Sequence, residues 1–378
     1  MISVRRDLHQ TPEIGMCEFI TRDKIINYLN EIGIPFYTSK EHTGVVAYIN
    51  SNNATKTIAL RADIDALPIN EENNSSYKSI HSGYMHACGH DAHTAILLGT
   101  IKVLYSMKDD LGINLKFFFQ PAEETDGGAI PMINEGCMKD PYVDYTLGLH
   151  VMPHIECGQV EVKYDCINAS TDTINIKIIG KDGHGAYPHL GCDAILTASH
   201  VINALQSIVS RNINPTDSVV LSFGVINGGV RANIICNEVN LVGTLRTLHP
   251  DTRSFCKKRI KDICEFTCKS FGCDCVVDIC EGYAPLINDN FVVDIIKDNV
   301  VKLLGENNLV IKKHPSLGAD DFAFFLEHSK GAFYHLGCGN KLKDITSSLH
   351  TSTFDIDEDC LEIGVKLHVE NVLSLAKL

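Results

Sequence analysis

Metal-competent side chains are densest in one short run, Cys88-Gly89-His90-Asp91-Ala92-His93. Thiolate and imidazole are the donors that zinc and related transition ions take up readily. Cys88 and His90 stand two residues apart, a spacing that splays side chains around a regular helix. They converge on one ion only from a loop or from the irregular start of a helix, and Asp91 followed by an apolar-periodic run marks such a start. The same run also reads as a capped helix with a buried thiol and incidental histidines. Gln120-Pro121-Ala122-Glu123-Glu124 directly follows an apolar strand. Its adjacent carboxylates project to different sides, so one could hold a metal while its neighbour addresses a water. Taken alone it would be a solvated acidic turn. His150 closes another apolar segment, and His350 lies in a polar loop.

The elements that must position these residues follow from periodicity. Apolar residues at helical spacing predict helices over 18–34, 91–107 and 128–136, and short β-branched or apolar runs predict strands over 44–50, 57–61, 113–119 and 145–149. Alternation of continuous apolar strands with helices indicates an α/β fold: a largely parallel sheet flanked by helices. Cys88, Glu124 and His150 then all lie at or beyond the C-terminal ends of strands, the rim on which open α/β sheets build their sites. The style changes in the middle of the chain. Period-two alternation over 172–179 is followed by helices at 193–210 and 252–270 and strands at 218–225, 235–247 and 275–280. This is an α+β unit inserted into the first. The expected division is 1–168 with 282–378 for the outer domain and 169–281 for the insert. After it, helices are expected near 290–304 and 320–328, a strand at 333–336 and a terminal helix from 358.

Composition bounds the function. The chain has 378 residues, 33 Lys+Arg against 47 Asp+Glu, and a net charge of −14. No Lys/Arg run reaches four residues, which disfavours a nucleic-acid surface. The longest nearly apolar stretch, 95–107, is too short to cross a bilayer and includes Lys102. The first residues carry no apolar signal-peptide region. Fifteen cysteines scattered through so long a chain read as reduced thiols, so a cytoplasmic location is expected. Cys264, Cys268, Cys273, Cys275 and Cys280 are close in sequence but form no paired Cys-x-x-Cys knuckle, and are read as packing residues. A serine-hydrolase elbow and a phosphate-binding Gly-Lys-Ser/Thr loop are both missing.

Several longer motifs carry a family resemblance. They are Arg5-Arg6-Asp7-Leu8-His9-Gln10, Arg61-Ala62-Asp63-Ile64-Asp65-Ala66-Leu67-Pro68, His86-Ala87-Cys88-Gly89-His90-Asp91 and Gln120-Pro121-Ala122-Glu123-Glu124. Further along come Gly183-His184-Gly185-Ala186-Tyr187-Pro188-His189, Gly228-Gly229-Val230-Arg231-Ala232-Asn233, Gly243-Thr244-Leu245-Arg246-Thr247, Gly318-Ala319-Asp320-Asp321-Phe322 and Leu349-His350. In this order and spacing, over essentially the whole chain, the sequence resembles the M20 metallopeptidase superfamily. The branch is that of N-acyl-amino-acid amidohydrolases, hippurate hydrolases and N-acetyldiaminopimelate deacetylases. Thr11 and Asp320 depart from the pattern, standing where many relatives have His and Glu.

The resemblance implies a catalytic domain interrupted by a lid domain that mediates a homodimer or higher homo-oligomer. It also implies two divalent ions per subunit (zinc, manganese, cobalt or nickel). Their ligands would be Cys88, His90, Glu124, His150 and His350, with Glu123 as catalytic base. Asp63 or Asp65 would support the metal site; the strand end favours the first and the distance to Pro68 the second. His184 would polarise the scissile carbonyl, in cis or from a partner subunit, and Asn233 and Arg246 would hold the substrate carboxylate. The read-alone alternatives are an exposed loop histidine for His184 and a surface ion pair for Arg246. The implied reaction is hydrolysis of the amide of an N-acyl amino acid, with metal lowering the pKa of water from ~15.7 toward ~7. A dipeptidase or carboxypeptidase acting on small peptides and a catalytically silent metal-binding relative are the alternatives.

Overall fold

The computed structural model describes residues 1–378. It divides into two compact units: Met1–Ile167 with Ile287–His314 and Asp320–Leu378, and Asn168–Leu286 with Pro315–Ala319.

The first unit is built on an eight-stranded sheet. Its order is Phe36–Thr38, Val45–Ile49, Asn114–Gln120, Thr57–Asp63, Tyr145–Glu156, Lys330–Gly339, Val160–Val162, Leu309–Ile311. The four central strands, Asn114–Gln120 through Lys330–Gly339, run parallel, as do Val160–Val162 and Leu309–Ile311, and antiparallel pairs complete the sheet. The central strands read as continuous apolar runs because both faces are covered: every residue of Thr57–Asp63 is buried, and so are Phe117, Phe118 and Phe119 in succession. Helix His90–Ser106 is apolar nearly all round, with Ile96, Leu97, Ile101 and Leu104 in the same core as Leu361, Leu367 and Val372 of helix Cys360–Ala376. This is the mixed α/β architecture that the alternation indicates.

Two local expectations need correction. The strand from Tyr145 continues to Glu156, so His150 lies inside it rather than closing it. Parallel pairing with Lys330–Gly339 carries on through His150 opposite His335 and Val151 opposite Leu336, and holds the backbone extended. The helix expected over 320–328 shrinks to Ala323–Leu326. Asp320 and Asp321 are drawn instead into side-chain and amide contacts described below.

The second unit is a four-stranded antiparallel sheet in the order Val219–Gly228, Glu238–Thr247, Asp172–Ile179, Asp274–Glu281, with helices Ala194–Ser207 and Pro250–Ser270. The alternation over Asp172–Ile179 matches its burial, since Ile174, Ile176 and Ile178 enter the core with Val201, Leu205, Leu241 and Ile260. Cys256, Cys264, Cys268 and Cys273 are buried in that same core as small apolar groups, while Cys280 is exposed. The single strand expected over 235–247 is two: Ile234–Ile235 pairs with Gly183–His184, and Glu238–Thr247 joins the four-stranded sheet. No helix of the chain is long and apolar enough to cross a membrane.

Candidate metal centre

Three backbone irregularities in the first unit solve the spacing problem set by the sequence. Gly89 is the cap of helix His90–Ser106 and sits at φ 87°, so the chain reverses hand between Cys88 and His90. A Cβ at Gly89 would stand 2.3 Å from Val151 Cγ2, so conformation and close approach both require glycine there. Ala122 is held at φ 56°, between the strand end at Gln120 and the Glu123-Glu124 pair. His350 sits at φ 60° and its N–H donates to Ala87 O at 2.9 Å, tying its loop beside Cys88. Non-glycine residues in the left-handed region cost about 1–3 kcal/mol each, and such strain clusters at functional sites.

These turns bring five donors together. Cys88 Sγ lies 3.3 Å from His150 Nε2 and 3.3 Å from His350 Nε2. His350 Nε2 is 3.0 Å from Glu124 Oε1, and His90 Nε2 is 4.0 Å from that same oxygen. Two donor sets, Cys88/His90/His150 and Cys88/Glu124/His350, each fall within 4.8 Å, and Cys88 belongs to both. The histidines are oriented from behind. His90 Nδ1 donates to Asp65, at 3.0 Å to its carbonyl and 3.1 Å to its carboxylate, and His150 Nδ1 donates to Val151 O at 2.8 Å. Both Nε2 atoms therefore face inward, the arrangement that metal-ligating histidines adopt. His90 Nε2 is buried with no hydrogen-bond partner. Two donors on one zinc at ~2.0–2.3 Å with a tetrahedral angle stand ~3.4 Å apart, close to the separations around Cys88. The donor set fits divalent ions.

The electrostatics agree. Burial, with Glu124 and Glu123 close by, pushes the Cys88 thiol well above the ordinary range, and Cys88 is only 6% exposed. Burial opposes charge on His90, but Asp63, Asp65 and Glu124 outweigh it and raise the imidazole to about 10. His150 is pushed well below its usual value by burial and by His93. A pocket this acidic and this dry calls for positive charge at the position that His90 Nε2 faces. Glu123, 7% exposed, is pushed well above the carboxylate range by burial and then by Asp320, Glu124 and Asp321. Its carboxylate belongs to one close group with His90 and Glu124 and to another with Asp320 and Asp321.

Asp63 and Asp65 have different tasks. Asp65 sits behind His90, and its Oδ2 accepts the Glu124 N–H at 2.9 Å. Asp63 accepts from His93 Nδ1 at 2.6 Å and from Arg61 Nη1 at 2.7 Å. Val151 N–H donates to His93 Nε2 at 2.9 Å, so both ring nitrogens of His93 are occupied by protein. Asp65→Ala should therefore weaken metal affinity by about 10- to 100-fold, the usual cost of losing a group that orients a ligand. Competition against a chromophoric chelator measures it, and Asp63→Ala should act mainly on stability.

Some participants are residues to which the sequence assigned no role. Arg61, an arginine inside an otherwise apolar strand, bridges Asp63, Gln120 at 2.9 Å, Asp320 at 3.2 Å and Asp321 at 3.0 Å. Asp321 also accepts from Gln120 Nε2 and from Ala129 N–H, and burial raises its carboxyl to about 7. A charged residue in an apolar run is the signal that could have found Arg61. Glu18 carries no such mark, since it precedes an ordinary amphipathic helix. It is fully buried, accepts from Thr43 Oγ1 and Ala122 N–H, and is raised by burial to about 7.

In the second unit His184 and Asn233 are neighbours. His184 pairs with Ile234 across two short strands, and Gly185 N–H donates to Asn233 O at 2.9 Å. Both side chains are exposed, and His184 Nδ1 accepts from Ala186 N–H at 3.0 Å, which leaves Nε2 outward. Arg246 stands apart on Glu238–Thr247, half-buried, donating to Thr244 Oγ1 at 2.7 Å and to Thr171 Oγ1. It is held by hydroxyls where a surface ion pair is the bland expectation.

Comparison with known proteins points to a metal-dependent family. The profile described as Peptidase family M20/M25/M40 matches residues 59–374. The chain is 40% identical over 361 residues to the N-acetyl-L-cysteine deacetylase of Bacillus subtilis (strain 168), covering 96% of this chain and 84% of that one. It is 36% identical over 371 residues to thermostable carboxypeptidase 2 of Saccharolobus solfataricus, covering 97% and 93%. Among solved structures, a dinuclear metal-binding peptidase of the M20 family from Bacillus subtilis superposes with a TM-score of 0.86 at 29% identity, covering 100% and 97%. The chain thus belongs to peptidase family M20/M25/M40 and is a metal-dependent hydrolase of that family.

Proposed function

We propose that the protein hydrolyses the amide bond of N-acyl amino acids, with Glu123 as general base and two divalent ions (zinc, manganese, cobalt or nickel) held by Cys88, His90, Glu124, His150 and His350. The observation that carries this reading is the sharing of Cys88 by two donor sets beside the buried Glu123 carboxylate. When bound, the ions supply Lewis acidity and lower the pKa of a water toward ~7.

The chain's own residues perform the rest. Asp65 fixes His90 and the Glu124 backbone, so the donors are held before substrate arrives. Glu123 takes a proton as the water oxygen bonds to the acyl carbon. It returns that proton to the amide nitrogen as the C–N bond breaks, giving a carboxylate and a free amino acid. Burial and neighbouring carboxylates raise the basicity of the Glu123 carboxylate, which suits a group that starts ionised and must hold a proton between the two transfers. To His184 we assign stabilisation of the developing oxyanion, and to Asn233 and Arg246 the substrate carboxylate. A panel of N-acetyl and N-benzoyl amino acids, with short dipeptides alongside, tests the assignment by release of free amine. Turnover of dipeptides alone would favour the carboxypeptidase reading.

The inserted unit is assigned to self-association. Strand Val219–Gly228 is an edge of its sheet, and Ile226 on it and Val230 just beyond are 59% and 84% exposed. A second copy can cover such an edge isologously. Ile226→Lys should convert a dimer to monomer by light scattering, and an unchanged mass would remove this interface.

A further inference from the structure

The Glu123-Glu124 corner is held by a segment far from it in sequence. The loop 13–18 lies against both site loops. Ala66 N–H donates to Glu13 O at 2.8 Å, just after Asp65, and Ile14 bridges Ala66. A Cβ at Gly15 would stand 2.9 Å from Ala122 Cα and 2.1 Å from Thr125 Oγ1, so the loop touches the corner at a glycine. Met16 in the same loop is itself at φ 61°. The loop ends on Glu18, whose Oε1 accepts the Ala122 N–H at 2.8 Å while Oε2 accepts from Thr43 Oγ1. Ala122 is the strained residue immediately before Glu123, and on the far side Glu124 N–H is held by Asp65 Oδ2. The carbonyls on either side are held separately, Pro121 O by Gln120 Nε2 at 3.2 Å and Ala122 O by Gly127 N–H at 2.9 Å, whereas the Ala122 N–H is held by Glu18. Without that acceptor a buried N–H is left unpaired, and a peptide rotation that relieves it re-aims the next side chain.

We propose that Glu18 is a positioning residue for catalysis, pinning the Ala122 peptide so that the Glu123 carboxylate stays aimed at the reacting water. It acts through Glu123 and touches neither substrate nor metal. The inference rests on the reading of Glu123 as base, and the test separates the two.

Glu18→Met keeps the volume and removes the acceptor. Misplacing a catalytic group by ~1 Å costs about 100-fold, so kcat for the N-acyl amino acid turned over fastest should fall by about that factor. KM should stay within about threefold, and metal content should be unchanged. Glu18→Gln keeps an acceptor for Ala122 N–H and should retain kcat within about fivefold. In a Glu123→Gln background, Glu18→Met should cause little further loss, because the residue it aims is already disabled. Unchanged kcat in Glu18→Met, loss of metal, or the full 100-fold loss repeated in the Glu123→Gln background would each overturn the proposal. So would an equal loss in Glu18→Gln, which would make charge rather than the pin responsible. If Glu123→Gln alone keeps full activity, the base assignment fails by itself, whatever Glu18→Met does.

Discussion

Glu123→Gln should abolish nearly all turnover while leaving the metal content of the protein intact. Glutamine has the shape of glutamate but cannot accept the proton of the attacking water. General acid–base catalysis contributes ~10²–10⁴-fold, and Glu123 is asked to serve twice in one cycle, so a fall toward the upper end is expected. Glu123 is buried beside Glu124 without being common to the two donor sets that share Cys88, which is why metal should remain. Free-amine release reports the first half of the prediction and elemental analysis of the purified variant the second. Substantial activity in the variant would take the role from Glu123. Loss of metal would make Glu123 a ligand instead.

Cys88→Ser should do the opposite, removing metal and activity together. A hydroxyl is a far poorer ligand than a thiolate, and Cys88 alone belongs to both donor sets. Burial and the neighbouring carboxylates disfavour a bare thiolate there, so the charge of the sulfur and that of the metal depend on each other. Activity below about 1% of wild type is expected, with added zinc or manganese failing to restore it at concentrations that saturate the parent. Thiol alkylation of the chelated protein should likewise block reloading, whereas alkylation of the loaded protein should be slow. Metal binding that survives either change would exclude Cys88 from the ligand set.

What the sequence disclosed, and what it did not, divides along a physical line. Continuous apolar runs such as 113–119 announce a strand covered on both faces, and period-two burial over Asp172–Ile179 announces a sheet with one face on a core; the structure contains both. Chemistry-bearing residues could be picked out because thiolate, imidazole and paired carboxylates are rare in such surroundings. Their convergence could not be derived, because it depends on the left-handed backbone at Gly89, Ala122 and His350, and only the glycine signals itself. The choice between Asp63 and Asp65 was open for the same reason. Only the fold shows Asp65 behind His90 and Asp63 occupied with His93 and Arg61. The helix expected over 320–328 failed where tertiary contacts overrode local pattern, with Asp320 and Asp321 turned toward Arg61. Glu18 illustrates the limit, since a buried carboxylate that supports a peptide 104 residues away leaves no local trace.

The central claim is that hydrolysis depends on metal held around Cys88. Titrating zinc or manganese into the chelated protein while following amine release from an N-acyl amino acid tests it most directly. Activity should be absent without metal and rise to a plateau at two ions per chain. Full amine release from the metal-free protein would contradict the account.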